Sequence, residues 1–389
     1  MGLKRVADRI WTCWACGNCT GRGPTNPFGG PSAPLGVAMC PPAERFKFED
    51  YTARGRLYLC RLLYDGDLAP TADNLQMVAY TCTACGFCDE VCPLGPSEVF
   101  VGLREELVER GIAPPKGNKK VDENISTKHN AMGGLPEARA KWAQGLNLPK
   151  TGDTLFFAGC YASYRQPEIS KAMVSSLKAA GVNVAHLGND EWCCGLPPLW
   201  NGETAIGQET MKHNFEALKN SGAKTVMTAC AECYRTLKLD YPVLFGELPF
   251  KVVHISEFLE QLIDKGKLKF NKLEEKVTYH DPCFLGRHSK VYDAPRKVIR
   301  SIPGVKLVEM ERNGQWAYCC GSGAGTVADA YPDFTMWTAR QRIIEAQKAA
   351  DTIVTACPRC VETLKSAAKE EGSKMAIYDL AVFAAKAVS

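Results

Sequence analysis

The stretch NDEWCCGLPPLW, Asn189–Trp200, contains two adjacent cysteines followed by a glycine, and the same doublet returns in AYCCGSGAG, Ala317–Gly325. Adjacent residues of an extended strand point to opposite faces of a sheet. A disulfide between chain neighbours would depart far from ordinary disulfide geometry. The recurring doublet therefore indicates another purpose for these thiols, and it indicates that this part of the chain is a repeat.

Each doublet is accompanied by three further cysteines in the same order. The first set is Cys160, Cys193, Cys194, Cys230 and Cys233, and the second is Cys283, Cys319, Cys320, Cys357 and Cys360. The residue numbers of corresponding cysteines differ by 123, 126, 126, 127 and 127. Self-similarity at a nearly fixed spacing is typical of a repeated structural unit. We define residues 151–270 as unit 1 and residues 271–389 as unit 2.

Apolar segments alternate with amphipathic ones in both units. The predicted strands are DTLFFAGC, VNVAHLGNDEWCCG and AKTVMTACAEC in unit 1, and KVTYHDPC, VKLVEMERNGQWAYCCG and DTIVTACPRC in unit 2. This alternation predicts an α/β unit with a mostly parallel sheet, in which ligands gather beyond the carboxyl ends of the strands. The cysteines are expected at that edge, before helix N-termini that favour the thiolate form.

The doublets also indicate the kind of site. Two neighbouring thiolates cannot comfortably occupy two corners of one compact tetrahedral site. They can instead ligate adjacent irons, or bridge irons, in an opened cluster. Each unit has five thiolates, one more than a cubane cluster needs, which also favours an opened cluster.

The N-terminal third carries two more cysteine groups. WTCWACGNC supplies Cys13, Cys16 and Cys19, followed later by Cys40, and TCTACGFCDEVCP supplies Cys82, Cys85, Cys88 and Cys92 before Pro93. The second group is the bacterial ferredoxin run, in which the fourth cysteine ligates the other cluster. We therefore expect one [4Fe–4S] cluster on Cys13, Cys16, Cys19 and Cys92, and another on Cys82, Cys85, Cys88 and Cys40. Zinc sites are the alternative, because C-x2-C pairs also bind zinc.

Residues 1–110 are thus predicted to form a helical bis-[4Fe–4S] ferredoxin-like domain. The Gly- and Pro-rich insertion between Cys19 and Cys40 is interpreted as a surface loop that docks a partner, and Cys60 as a buried core thiol. Residues 111–150, polar with several Pro and Gly, are predicted to be a linker.

Composition sets the class of the protein. The 389 residues are 46% hydrophobic with a net charge of +4 and no basic stripe, so nucleic-acid binding has no support. No apolar run is long enough to cross a bilayer, and a cysteine cluster stands where a signal peptide would have its apolar core, so we expect no export signal. We expect a cytoplasmic protein that reaches a membrane only through a partner. In a reducing compartment, nineteen cysteines favour metal binding over disulfides.

The two five-cysteine motifs, spaced C-x32-CC-x35-C-x2-C and C-x35-CC-x36-C-x2-C, resemble the CCG domains of heterodisulfide reductases. The order of a two-cubane module and two CCG domains is similar to the D-type subunit of that family. The resemblance implies an α+β protein with two tandem, pseudo-symmetric α/β CCG domains. It also implies two noncubane [4Fe–4S] clusters, one on each five-cysteine set, that together split a disulfide.

The same architecture, with ARGRLY at 53–58, is similar to iron–sulfur subunits of glycolate, lactate and glycerol-3-phosphate dehydrogenases. It is also similar to electron-transfer subunits of class II benzoyl-CoA reductase systems. Three hypotheses follow: a thiol/disulfide oxidoreductase subunit of an anaerobic complex, a pure relay between a flavoprotein and another redox partner, or repeats stabilised by zinc or empty thiols. No nucleotide-binding motif is present, so any flavin is expected in a partner.

Other polar residues near the motifs are weaker candidates. His280 and Asp281 flank Cys283, and His280 is a candidate proton donor to a leaving thiolate, with a purely orienting hydrogen bond as the alternative. Arg287 and Arg165 are candidates to pair with a cluster or an anionic substrate, or with a nearby carboxylate. His186 and His254 are interpreted as structural.

Overall fold

The computed structural model describes residues 2–20 and 39–388. It is a mixed structure of helices and two small parallel sheets. Most of the insertion between Cys19 and Cys40, which we predicted to be a surface docking loop, lies outside the described residues.

The part of the chain before the sheets is helical. Its helices are Ala7–Thr12, Pro41–Phe46, Ala53–Asp65, a π-helical turn Ala72–Gln76 continued by Met77–Tyr80, Phe87–Val91, Pro96–Glu109 and Lys116–Lys128. Short 3₁₀ turns cover Lys4–Val6, Asn18–Thr20, Glu49–Tyr51, Pro136–Ala138 and Lys141–Ala143. The helix Ala53–Asp65 begins at Thr52, whose hydroxyl accepts from the main-chain N–H of Gly55, and ends at Gly66 in the left-handed region.

Residues 111–150, predicted as a linker, contain the 13-residue helix Lys116–Lys128. Asn118, Asp122 and Ile125 of this helix are buried, as is Trp142 further on. The Pro and Gly residues that suggested a linker flank this helix and the turns after it. The segment is thus packed against the rest of the molecule, and the domain bounds themselves stay a prediction.

Each unit contains one four-stranded parallel sheet, which confirms the parallel sheets expected from the sequence. The strands are β1 Thr154–Phe156, β2 Ala185–His186, β3 Thr225–Thr228, β4 Lys251–His254, β5 Glu275–His280, β6 Val305–Leu307, β7 Thr352–Thr355 and β8 Ala376–Asp379. The order is β2-β1-β3-β4 in unit 1 and β6-β5-β7-β8 in unit 2. The two units therefore share one topology, as the repeat of cysteines predicted.

The edge strands β4 and β8 were not predicted from the sequence. Neither strand leads to a cysteine, whereas each of the six predicted strands does. Both are instead followed directly by a helix: β4 by Ile255–Asp264 and β8 by Leu380–Ala385.

The helices of the units alternate with the strands. Unit 1 has Gly159–Tyr164, Pro167–Ala179, Leu196–Asn201, Thr204–Asn220, Ala231–Arg235 extended by a π-helical turn Thr236–Asp240, Tyr241–Phe245 and Ile255–Asp264. Unit 2 has Asp293–Arg300, Thr326–Ala330, Pro332–Gln347, Pro358–Glu370 and Leu380–Ala385. Further 3₁₀ turns cover Gly188–Asp190, Gly314–Trp316 and Gly323–Gly325.

The two units pack against each other through the last helix of each unit. The last helix of unit 1, Ile255–Asp264, packs on Asp293–Arg300 of unit 2, and the last helix of unit 2, Leu380–Ala385, packs on Pro167–Ala179 of unit 1. Within unit 2, the N–H of Asn271 donates to the carbonyl of Ala387 and ties the end of the unit to its start. This reciprocal packing fixes the two sheets relative to each other.

Asn201 joins all parts of the chain through buried hydrogen bonds. Its carbonyl accepts from the hydroxyl of Tyr80 at 2.6 Å, and its Oδ1 accepts from Asn118 Nδ2 at 2.8 Å and Thr326 Oγ1 at 2.9 Å. Its Nδ2 donates to both carboxylate oxygens of Asp122, at 2.9 and 3.1 Å. The N-terminal helices, the helix Lys116–Lys128 and both units therefore meet at one amide.

Asp122 makes the free energy of unfolding depend on pH. Burial raises the pKa of its carboxyl from 3.8 to about 7. The folded chain therefore holds a proton at Asp122 that the unfolded chain releases, so this residue lowers the free energy of unfolding as the pH rises from about 4 to about 7.

We expect Asp122→Asn, whose amide oxygen can still accept from Asn201, to raise the free energy of unfolding at pH 8 by up to about 4 kcal/mol. The gain is expected to be smaller at pH 5, where most of the penalty is absent. Denaturant unfolding of both proteins at the two pH values measures it. An equal difference at pH 5 and pH 8 would contradict the assignment of the penalty to this carboxyl.

Candidate metal centres

Four cysteines from two parts of the N-terminal region line a first cavity. Cys13 follows the helix Ala7–Thr12, Cys16 and Cys19 lie in the next turns, and Cys92 follows the helix Phe87–Val91. Burial, and then the neighbouring thiols led by Cys92, raise the pKa of Cys19. The structure thus brings together the four residues expected to hold one cluster.

A second cavity is lined by Cys40, Cys82, Cys85 and Cys88. Cys40 caps the helix Pro41–Phe46, which starts with two prolines. The fully buried Arg56 lines the same cavity and donates to the main-chain carbonyls of Tyr51 and Val78. Burial raises the pKa of Cys40 to about 12, although the charge of Arg56 opposes this. Cys60 is buried in the helix Ala53–Asp65 and lines neither cavity.

The five cysteines of unit 1 form a connected group of buried thiols. Interactions link Cys160 to Cys193, Cys193 to Cys194, and Cys194 to Cys233, and each interaction changes the pKa of both members. Cys230, at the start of the helix Ala231–Arg235, interacts with Cys233. Cys160 itself is not on a strand end, because β1 stops at Phe156 and the helix Gly159–Tyr164 has begun.

Unit 2 repeats this arrangement. Cys283 interacts with Cys319, and the sulfur atoms of Cys320 and Cys360 lie 3.4 Å apart. Cys357 stands at the start of the helix Pro358–Glu370 and interacts with Cys360. The two five-cysteine sets are therefore each brought together at the carboxyl edge of their own sheet.

The glycine after each doublet has a structural reason. Gly195 and Gly321 both have φ of +94°, a conformation that favours glycine. A Cβ atom at Gly195 would lie 2.6 Å from Met211 Cγ, and one at Gly321 would lie 2.8 Å from Thr338 Cβ. Only glycine therefore lets the chain turn sharply between the doublet and the helix that follows.

Two further contacts connect the separate cysteine groups. Cys85 of the second cavity interacts directly with Cys319 of unit 2, and hydrogen bonding between these thiols raises the pKa of Cys85. Cys230 of unit 1 interacts with Cys357 of unit 2. The cysteines of the second cavity, unit 2 and unit 1 thus form a continuous series.

The two basic candidates lie in different surroundings. Arg287 is buried and donates to the main-chain carbonyls of Cys85 and Gln315, as well as that of Ala317. Arg165 is exposed. The residue that contacts Cys160 is Arg139, with guanidinium nitrogens 3.8 and 4.0 Å from its sulfur.

Arg139 was missed because it lies in the segment predicted as a linker. It is buried and paired with the equally buried Glu191, Nη2 to Oε1 at 2.7 Å. The carboxylate of Glu191 also accepts from the main-chain N–H groups of Ala158 and Gly159 at 2.8 and 2.9 Å. The only signal in the sequence was that Glu191 stands two residues before the cysteine doublet. This signal did not identify Arg139 as the partner of Glu191.

The remaining candidates are buried polar residues. Asp281 forms an ion pair with Arg296, Oδ1 to Nη1 at 2.6 Å. Burial lowers the pKa of His254 to about 4, and its ring accepts from the N–H of Ser256 at the start of the next helix. His186 is half-buried and packs edge-on against Trp142. These placements agree with structural roles for the two histidines.

Residues at the junction of the two units were also not identified from the sequence. Arg359, next to Cys360, is buried over the ring of Tyr161, 4.7 Å from its centroid, and lies 3.5 Å from Asp329. Burial, with the charge of Cys357, raises the pKa of Glu232 to about 8. Gln166 Nε2 donates to the carbonyl of Pro358 across the junction at 2.8 Å.

The donor set fits iron–sulfur clusters. All nineteen cysteines lie in the described part of the chain and none is in a disulfide. Most of the buried thiols have raised pKa values, so their thiolates need a nearby cation. Purely thiolate sites select iron–sulfur clusters or zinc.

Comparison with known proteins decides the family. The family model described as CCG: Cysteine-rich domain matches residues 154–238 and 277–365. The D-type subunit of dihydromethanophenazine:CoB–CoM heterodisulfide reductase from Methanosarcina mazei is 36% identical, over 97% of this chain and 93% of the relative. The chain belongs to the family of heterodisulfide reductase D-type subunits. The resemblance inferred from the cysteine spacing is confirmed, and the chain is an iron–sulfur oxidoreductase subunit with two CCG domains.

More distant relatives of this D-type subunit are components of other reductases. One subunit of fumarate reductase (CoM/CoB) from Methanothermobacter marburgensis is 33% identical over 81% of this chain and 63% of the relative. EtfAB:quinone oxidoreductase of Syntrophomonas wolfei is 32% identical over 78% of this chain and 45% of the relative. Within residues 2–20 and 39–388, no helix is both long and apolar enough to cross a membrane.

The Arg139–Glu191 pair predicts a large effect of one substitution. Glu191→Ala leaves a buried guanidinium without its carboxylate and removes the acceptor for two main-chain N–H groups. We expect it to lower the free energy of unfolding by about 3–5 kcal/mol, measured by denaturant unfolding.

Asp153→Ala is the matched control. It removes an exposed ion pair with Lys224, 3.2 Å between Oδ1 and Nζ, and such pairs contribute little. Equal losses of stability in the two variants would show that the buried pair has no special role.

Proposed function

We propose that this chain is the cluster-bearing subunit of a redox complex that reduces a disulfide, with two cubane and two noncubane [4Fe–4S] clusters. The cubane ligands are Cys13, Cys16, Cys19 and Cys92, and Cys40, Cys82, Cys85 and Cys88. The noncubane ligands are the two five-cysteine sets. We also propose the domain bounds 1–110, 151–270 and 271–389, with residues 111–150 as the connection, and a flavoprotein among the partners.

The observation that carries this proposal is the continuous series of cysteine contacts. Cys19 lines the second cavity as well as the first, so the two N-terminal sets adjoin. Cys85 then meets Cys319, and Cys357 meets Cys230. This order supports entry of electrons at the N-terminal sets, passage through unit 2 and arrival at unit 1.

Bound clusters of these kinds supply one-electron transfer and the cleavage of a sulfur–sulfur bond. The chain's own residues hold the sites in place and keep water out. Arg287 ties the loop of Cys85 to unit 2, because its Nε donates to the Cys85 carbonyl. Gln166 ties unit 1 to the Pro358 carbonyl next to Cys357.

The substrate class follows from the paired units. Reduction of a disulfide takes two electrons and two protons and yields two thiols. Two adjacent five-cysteine sites can each accept one of the two sulfur atoms. The Methanosarcina mazei relative is a subunit of a CoB–CoM heterodisulfide reductase, which supports a mixed disulfide of this kind.

A second candidate is a pure electron relay without a substrate of its own. All ten cysteines of the units are at most 8% exposed, which favours clusters closed to a substrate. The relatives that belong to fumarate and quinone oxidoreductases fit this candidate equally well.

Iron and acid-labile sulfide per chain, after strictly anaerobic purification, test the cluster assignment. Four four-iron clusters predict about 16 irons, whereas cubanes alone predict about 8. Zinc in place of iron, or a value near 8, would overturn the noncubane assignment.

We expect Cys194→Ala to lower the iron content by at least about four per chain, because it removes a thiol linked to both Cys193 and Cys233. Cys60→Ala is the matched control, since Cys60 is equally buried but lines neither cavity, and it is expected to keep all the iron. Full iron in Cys194→Ala would contradict the role of the doublet.

Reduction of 2-hydroxyethyl disulfide by the purified protein with reduced methyl viologen separates the two candidates. The disulfide proposal predicts turnover that is lost in Cys194→Ala. A protein that holds about 16 irons and passes electrons to a dye, but forms no thiol, would be the relay.

A further inference from the structure

The two units differ at one position close to the thiols. His280 stands three residues before Cys283, and the corresponding residue in unit 1, three before Cys160, is Phe157. Both side chains are buried, and both lie beside the central strand of their sheet, where His280 pairs with Thr355 and the N–H of Phe157 donates to Met227. An imidazole in unit 2 therefore takes the place of a phenyl ring in unit 1.

The protonation state of His280 is determined by Arg342. The guanidinium Nε of Arg342, fully buried, lies 3.0 Å from His280 Nδ1. A guanidinium has only N–H donors, so Nδ1 must accept this hydrogen bond. The ring then carries its single proton on Nε2. Burial and the charge of Arg342 also lower the pKa of His280 to about 3, which agrees with a neutral ring.

His280 adjoins two of the unit 2 thiols. A ring nitrogen of His280 and the sulfur atoms of Cys320 and Cys360 all lie within 4.8 Å of one another. Because Nδ1 accepts from Arg342, Nε2–H is the ring group that remains to donate a hydrogen bond. The phenyl ring of Phe157 has no N–H to offer at the corresponding place in unit 1.

The charges nearest the two sets add to this difference. The cation beside Cys160, Arg139, is matched by Glu191. In unit 2, Arg287 influences Cys283 and Cys319, and the hydrogen bonds described for it end on main-chain carbonyls.

Two buried carboxylates of unit 2, Asp281 and Glu345, have their own cations. Asp281 pairs with Arg296, and Glu345 pairs with Arg342 and Arg312. Among the described residues, Arg287 is in no ion pair, whereas Arg139 of unit 1 is paired with Glu191.

We propose that His280, fixed by Arg342 with its proton on Nε2, donates a hydrogen bond to the Cys320–Cys360 side of unit 2 and makes the cluster there more easily reduced than that of unit 1. This inference rests on the proposed function. Hydrogen bonds to cluster sulfur atoms and nearby positive charge favour the reduced state, which carries the extra negative charge. His280 is thus a positioning residue that makes two similar sites unequal.

The test is a redox titration of the anaerobically purified full chain, followed by electron paramagnetic resonance. In His280→Phe, which copies the residue of unit 1, we expect one signal to lose about tenfold in its reduced-to-oxidised ratio at a fixed potential. That corresponds to about 59 mV for one electron. His186→Phe, the same replacement at the half-buried histidine of unit 1, is expected to leave every signal unchanged.

A second pair of variants keeps the test decisive if His280→Phe fails to fold. Gln at position 280 can place an N–H where Nε2 lies, whereas Asn reaches only as far as Nδ1. We expect His280→Gln to retain the parent potential and His280→Asn to lose it.

Iron content distinguishes a failure of the proposed function from a failure of the inference about His280. A parent protein with far fewer than about 16 irons would overturn the proposed function. With iron complete, identical potentials in parent, His280→Asn and His280→Gln would overturn this inference alone.

Discussion

Buried thiols held close together are the constraint on which the structure depends. A thiolate is the form that binds metal, yet burial and neighbouring thiols raise the pKa of most of these cysteines, as for Cys19 and Cys40. The folded chain therefore holds most of these cysteines in positions where, without a bound cation, they favour the neutral thiol, whereas interactions with neighbouring thiols lower the pKa of Cys194, Cys320 and Cys357. Binding of a cationic cluster offsets this penalty, so cluster loading and folding are expected to be coupled.

Parallel sheets are the means by which distant cysteines reach one place. The strands of each unit end at the same edge, and the cysteines follow those ends directly or after a turn. The exchanged helices Ile255–Asp264 and Leu380–Ala385 then fix the two edges so that Cys230 meets Cys357. Residues more than a hundred positions apart in the chain become neighbours because two copies of one unit pack reciprocally.

The two copies share a scaffold but differ in their surroundings. Unit 1 balances Arg139 with Glu191 beside Cys160, whereas unit 2 places Arg287 and the neutral ring of His280 beside its thiols. Repetition supplies two sites of the same ligand set. Substitution around them gives each site its own electrostatic environment.

The sequence by itself determined the family, the two repeats and the grouping of cysteines, because ligand spacing along the chain is a local property. It also predicted six of the eight strands, each of which leads to a cysteine. It did not predict β4, β8 or the helix Lys116–Lys128, since these lack a cysteine or contain polar residues whose partners lie elsewhere.

Only the tertiary structure decided which groups meet across the chain. Asn201 binds side chains from positions 80, 118, 122 and 326, and Arg139 reaches Cys160 from a segment that resembled a linker. Arg342 sets the tautomer of His280 from 62 residues away. The burial and hydrogen bonding of a polar side chain depend on packing between elements, and the pattern of residues along one element does not encode them.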